Sequence, residues 1–259
     1  MITFTIATCT YNAGNELPPT LQSVLEQDYP YVEHLIIDGA SKDNTMSLLE
    51  DYKRNNGHSA QGHKINIVSE PDSGLYDAMN KALQQAQGDF ILFLNAGDRF
   101  HEATTLSKVA ASGEDIQRMP AVMYGDTDIV DSQGRFLRHR RLEPPERLTW
   151  KSFSLGMLVC HQAFFANMSL ASHCLYRKDK YRFSADFDWC IRLLKEAEQQ
   201  SLQIVNTHCV VADYLDGGMT TQNHRKSLKE RFFIMCYHYG YIKTIWNHLF
   251  FLVRAIFKK

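Results

Sequence analysis

Residues 90–94 (FILFL) form an unbroken apolar run, and polar Asn95-Ala96-Gly97-Asp98 follows at once. A short run that is apolar at both alternations predicts a strand buried on both faces, as in a parallel sheet. Ahead of it, the turn Pro71-Asp72-Ser73-Gly74 opens a helical pattern carrying Ala78, Met79, Ala82 and Leu83, which Gly88 closes. The same alternation runs back to the N-terminus. Strands are predicted over 3–8, 34–37 and 65–69. Helices are predicted around Leu17, Leu21, Val24 and Leu25, and over 44–54 with Met46, Leu48, Leu49 and Tyr52. Residues 55–64 are polar and read as a loop. This order predicts an α/β domain with a mostly parallel, helix-covered sheet. Right-handed crossovers place the loops after the strands along one edge, where open α/β sheets bind ligands.

The second half changes character. Residues 122–126 predict a strand, Asp131-Ser132-Gln133-Gly134 a turn, and 135–141 its hairpin partner, an arm carrying Arg135, Arg138, His139, Arg140 and Arg141. Pro144-Pro145 marks a break, and 153–168 show no clear period. Residues 186–194 have helical spacing and 204–213 are strand-like. Near the end, Ile242, Ile245, Trp246, Leu249, Phe250, Val253, Ile256 and Phe257 line one face of a helix. Such a face either packs on the domain or lies on an anionic membrane surface; Trp246 and the terminal lysines favour the second.

A formal net charge of -1 over 259 residues leaves no global basic field for nucleic acid. The cysteines at 9, 160, 174, 190, 209 and 236 contain no CxxC pair, so neither a zinc knuckle nor a redox motif is expected. Several sit in apolar runs, as small buried residues of a reducing compartment do. No signal peptide and no spanning helix is expected. Four acids, Asp38, Asp72, Asp98 and Asp126, fall at predicted strand ends. Singly, each fits a cap or a turn. Together they would ring one sheet edge, a setting for Mg²⁺ or Mn²⁺ bridging to a phosphate ligand. There is no P-loop and no GxGxxG after the first strand.

Several segments occur in a telling order: Thr8-Cys9-Thr10-Tyr11-Asn12; Ile37-Asp38-Gly39-Ala40-Ser41-Lys42-Asp43-Asn44-Thr45; 69–81, SEPDSGLYDAMNK; and Phe93-Leu94-Asn95-Ala96-Gly97-Asp98. His161-Gln162, Ser184-Ala185-Asp186-Phe187-Asp188 and Gly217-Gly218-Met219-Thr220 follow. In order and spacing they resemble the bacterial family 2 glycosyltransferases of the GT-A fold, among them colanic-acid and O-antigen enzymes. The likeness covers about residues 3–222.

The resemblance implies an inverting hexosyltransferase that uses a nucleotide sugar, a UDP-sugar by preference, with Mn²⁺ or Mg²⁺. It implies donor contacts at Thr8, Tyr11, Asn12, Asp38 (to uracil) and Asp72, and a metal ligand at Asp98. In the family's acidic metal motif only Asp98 is an acid here, so the metal is expected to bind with the nucleotide. Asp186 takes the place of the catalytic base, with Ala185 where an acid usually precedes it. His161, Gln162 and Asp126 are candidate acceptor or sugar contacts. The implied partner is a glycan or polyprenyl-diphosphate-linked acceptor of O-antigen, capsule or exopolysaccharide synthesis. The implied location is cytoplasmic, at the inner face of the bacterial inner membrane. The expected organisation is a nucleotide-sugar half (1–125), an acceptor and base half (126–222) and a helical segment (223–259). Two other readings stay open. A sugar-nucleotidyltransferase is disfavoured because residues 8–15 hold no Lys or Arg. A non-catalytic nucleotide-sugar or membrane-binding module is the other.

Overall fold

The computed structural model describes residues 1–55, 62–114, 118–217 and 223–257. Part of the predicted 55–64 loop, Gly218-Met219-Thr220, and Lys258 and Lys259 lie outside the described residues. The first half runs β1 (Phe4–Thr10), α1 (Leu17–Leu25), β2 (Val32–Asp38), α2 (Thr45–Asn55), β3 (Lys64–Ser69), α3 (Leu75–Gln85) and β4 (Phe90–Phe93). The second runs β5 (Arg99–Phe100), α4 (Thr105–Glu114), β6 (Val122–Val130), β7 (Phe136–His139), β8 (Phe164–Asn167), α5 (Met168–Ala171), α6 (Ala185–Gln199), β9 (Ile204–Leu215), α7 (His224–Tyr239) and α8 (Tyr241–Phe257).

These strands form one nine-stranded sheet in the order β3-β2-β1-β4-β8-β6-β9-β5, with β7 on the flank of β6. The β3-β2-β1-β4 part is parallel, as the alternation predicts. Beyond it the sheet is mixed: β8 is antiparallel to β4 and β6, while β6 and β9 are parallel. The boundary expected after residue 125 falls inside β6, Val122–Val130.

The apolar run at 90–94 is explained by the two cores. Ile91 and Phe93 join Met79 and Leu83 of α3 and Phe187 and Ile191 of α6 on one face. Phe90, Leu92 and Leu94 join Leu106 and Val109 of α4 on the other. An aromatic stack runs Tyr76–Tyr176–Trp189, with ring centroids 5.5 and 4.8 Å apart, and ties α3 to α6. Asn80 reinforces the tie by bonding both backbone groups of Tyr176, at 2.7 and 3.0 Å.

The C-terminal helix forms as its periodicity predicts, but its apolar face turns outward. Ile242 is 78% and Trp246 68% exposed, and Ile245, Leu249, Phe250 and Val253 are about half exposed, beside Phe233 and Tyr237 of α7. The opposite side attaches through buried Thr244 and through Asn247, whose amide donates to the Ser154 carbonyl at 2.8 Å. No described helix is long and apolar enough to cross a membrane.

Candidate active site

A cleft of about 600 Å³ opens at the C-terminal ends of β1 and β4, between α3 and the start of α6. On one side lies the turn after β4, closed by the Asp98 amide on the Asn95 carbonyl at 3.0 Å. Gly97 makes this turn possible: its φ is 97°, and its amide donates to Thr20 Oγ1 at 2.9 Å. Asp98 is buried at the base of the cleft. Its Oδ1 accepts from the Leu215 amide at 3.0 Å and its Oδ2 from Gln162 Nε2 at 2.8 Å. Burial pushes its pKa up to about 6, against the pull of those two donors and of the His161 charge. Asn95 Oδ1 beside it is buried with no hydrogen-bond partner, as is Thr10 Oγ1 across the cleft.

Asp186 enters from the first turn of α6 on the other side. Its Oδ1 accepts from the Tyr76 hydroxyl at 2.9 Å, and its Oδ2 lies 3.5 Å from His161 Nδ1. His161 Nε2, on the other side of the ring, lies 3.2 Å from Asn95 Nδ2. Burial works to raise the Asp186 pKa, but the hydrogen bond and charge of His161, then Arg231 and Tyr76, outweigh it and hold the carboxylate below its ordinary range. The two acids of the cleft are therefore pushed in opposite directions, the pattern by which paired carboxylates take separate roles. Asp188 is excluded as base: it is buried and bound to Arg192 and His238, each at 2.8 Å.

Of the residues singled out in the sequence, Tyr11, Asp72, Asp98, His161, Gln162 and Asp186 line the cleft. Thr8, Asn12, Asp38 and Asp126 are not among its lining residues. Thr8 is buried in β1, donating to the Leu94 carbonyl at 2.9 Å and meeting His34 Nε2 at 3.0 Å. Asp38 is buried and accepts from the Ser41 amide at 2.9 Å and the Ser69 hydroxyl at 2.6 Å, so it shapes the loop after β2. Asn12, at φ 49°, accepts from the Lys42 amide at 2.8 Å and stitches the loops after β1 and β2 together. Asp126 is not at a strand end: β6 continues to Val130, with irregular pairing to β9 on both sides of Asp126. Of the arginine arm only Arg140 reaches the cleft, while Arg135 and Arg138 pair with Asp131 and Asp216.

Sequence reasoning passed over Thr10, Tyr76, Arg182 and Arg231, which line the cleft, and Glu230, which binds the amides of residues 182–184 leading into α6. Tyr76 follows a recognised turn by two residues, so its place was discoverable; Glu230 and Arg231 lie on α7, to which no motif pointed. Outside the cleft, His101, Asp128 and Asp213 have ligand-type atoms within 4.8 Å of one another. Asp128 and Asp213 face each other across β6 and β9 and pair with His139 and His101 at 2.8 and 2.7 Å.

Known proteins share this fold. The model of glycosyl transferase family 2 matches residues 5–174. The chain belongs to glycosyl transferase family 2. A PGL/p-HBAD biosynthesis glycosyltransferase of Mycobacterium bovis is 32% identical over 216 residues, 83% of this chain and 77% of that protein. A putative teichuronic acid biosynthesis glycosyltransferase of Bacillus subtilis, TuaG, is 35% identical over 96 residues, covering 37% of this chain and 36% of that protein. Among solved structures, S. aureus TarS 1–349 in complex with UDP superposes with a TM-score of 0.66 at 17% identity, over 91% of this chain and 66% of that one. A mannosyltransferase of Pyrobaculum calidifontis in complex with GDP-Man and Mn²⁺ gives 0.61 at 16% identity, over 89% of this chain and 63% of that one. At these identities the likeness is one of fold. The family 2 chain has the α/β GT-A fold, and it spans just under two thirds of the length of these solved proteins.

Proposed function

We propose that this family 2 protein is an inverting glycosyltransferase that moves one sugar from a nucleoside diphosphate sugar, a UDP-sugar, to a hydroxyl of a glycan acceptor. The observation that carries the reading is the pairing of Asp186, held ionised, with the buried Asp98 turn in one cleft, linked through His161. Asp186 takes the proton of the acceptor hydroxyl while that oxygen bonds to the anomeric carbon. The bond from that carbon to the diphosphate oxygen breaks on the opposite face, and the nucleoside diphosphate departs. A positioned carboxylate contributes about 10²–10⁴-fold as general base. Tyr76 and His161 orient it, and their contacts favour its charged form until it receives the proton.

Donor binding falls to the loop after β1, with Tyr11 and Thr10, and to Asp72. Asp72 Oδ2 lies so close to Gly39 that a Cβ there would meet it at 2.6 Å. Asp98 and the unpartnered Asn95 Oδ1 are hard oxygen donors suited to Mg²⁺ or Mn²⁺. Such an ion, when bound, neutralises charge gathering on the leaving diphosphate. The exposed apolar face of α7 and α8 supports a lipid-diphosphate-linked acceptor and a peripheral station on the inner membrane, as in surface polysaccharide synthesis. The test is a panel of UDP- and GDP-sugars with Mn²⁺, scored by donor hydrolysis and by thermal stabilisation. A UDP-sugar is expected to raise Tm and turn over; no response to any donor overturns the reading.

A further inference from the structure

Three arginines line the cleft: Arg140, Arg182 and Arg231. Arg140 is spent on protein carbonyls, donating to Leu142 and Leu158 at 2.9 Å each and also to Met157. Arg231, from α7, is not. Its Nε is buried with no hydrogen-bond partner, and its guanidinium carbon stands 5.9 Å over the Phe187 ring. Neither it nor Arg182 makes an ion pair of 4 Å or less with a carboxylate among the described residues, whereas Arg192 and Arg177 both do, on Asp188. A half-buried guanidinium with no carboxylate in direct contact is left with donors that a ligand anion can take. Its planar fork suits the paired oxygens of a phosphate.

Position narrows the ligand. Arg231 acts on the Asp186 and Tyr76 side of the cleft, where the acceptor hydroxyl must come. The donor side is marked by Thr10, Tyr11 and the Asp98 turn. One turn before Arg231, on the same side of α7, Leu228 is exposed, and Phe233 and Tyr237 expose further apolar surface along that helix. α7 also lies beyond the family-matched residues 5–174.

We propose that Arg231, with Arg182, forms a subsite for the diphosphate of a lipid-linked acceptor, whose hydrocarbon runs out along α7 and α8. The inference rests on the glycosyltransferase reading, which fixes which side of the cleft is the acceptor's. It is tested by binding of farnesyl diphosphate, with farnesol, inorganic pyrophosphate and UDP–Mn²⁺ as comparison probes, to the full chain and to Arg231→Gln and Arg182→Gln. Unchanged melting of a variant certifies its fold, and the two substitutions stand in for one another. Farnesyl diphosphate is expected to bind more tightly than farnesol or pyrophosphate, also when UDP is bound, and to weaken tenfold or more in Arg231→Gln while UDP affinity holds within twofold. If the variants weaken UDP and leave farnesyl diphosphate unchanged, the arginines serve the donor and the proposal falls. It falls equally if farnesyl diphosphate binds no better than farnesol. UDP binding without farnesyl diphosphate binding sinks the subsite alone; the reverse sinks the glycosyltransferase reading and keeps the anion site.

Discussion

Glu230 Oε2 accepts the backbone amide of Ser184 at 2.9 Å, across 46 residues of chain. The same carboxylate also takes the amides of Arg182 and Phe183, at 2.9 and 2.8 Å. These three amides belong to the residues that lead into α6, and a carboxylate near a helix start is favoured by the helix dipole. α7 therefore holds the end of α6 that carries Asp186, and no side chain within α6 does so. Glu230→Ala is expected to cost about 1 kcal/mol of stability by leaving three amides, two of them part-buried, without their acceptor. It is also expected to lower kcat more than it raises the KM for donor. Urea unfolding and steady-state rates check both; an unchanged kcat in a folded variant removes Glu230 from the positioning of the base.

Asp186→Asn removes the proton acceptor while keeping the shape that Tyr76 and His161 grip. Transfer is expected to fall by about 10²–10⁴-fold. UDP affinity should persist, because Asp186 stands apart from Tyr11 and Asp72. Turnover near that of the parent protein would refute the assignment.

Asp98 makes the free protein's stability depend on pH. Its folded pKa, about 6, is above the ordinary 3.8, so between these values the folded state holds a proton that the unfolded chain has lost. Its contribution is thus fully present below about pH 4 and is lost as pH rises through about 6. A shift of this size is worth about 3 kcal/mol. Melting curves between pH 4 and 7 should show the wild-type protein losing stability relative to Asp98→Asn. Parallel curves would place the titration elsewhere.

Metal coupling is a separate matter. In Asp98→Ala, Mn²⁺ should no longer strengthen UDP binding, as read by calorimetry with and without the ion. Retained coupling would transfer the role away from the Asp98 turn, and the His101, Asp128 and Asp213 group would be the next to substitute.

Among the described side chains of α8, Ile242 and Trp246 are the most exposed apolar ones, and the membrane reading rests on them first. Ile242→Ser with Trp246→Ser should change stability by about 0.5 kcal/mol or less, since both side chains are largely solvated. It should abolish co-sedimentation with phosphatidylglycerol vesicles; undiminished co-sedimentation would mean that this face meets something other than lipid.

Much of the nucleotide half was legible because its signals are local. The 90–94 run, the turn at 71–74 and the polar break at 95 each sit within a few residues of what they specify. Asp98 and Asp186 were found through motifs and do share a cleft. Asp38 does end β2 as the pattern predicts, but an acid at a strand end reads the same whether it faces a ligand or a neighbouring loop, and no local signal foretold its bond to Ser69 of β3. Asp126 misled because the strand does not stop at its polar residue; buried Thr127 and Asp128 carry β6 onward. Glu230 and Arg231 could not have been read, since their meaning depends on how α7 docks on α6 and no periodicity encodes that.

Gly97 sets a bound on redesign of this turn. Its φ of 97° is strained for any L side chain, and a Cβ there would come within 2.7 Å of Leu215 Cδ2. A second acid at position 97 would therefore strain the turn and push aside the side chain of Leu215, the residue whose amide is one of the two donors fixing Asp98. Any engineered gain in cation affinity has to enter at position 95, where an exchange of amide for carboxylate asks nothing of the backbone but gives up the Nδ2–H that orients His161. Tighter metal binding and a well-placed base thus compete for a single side chain.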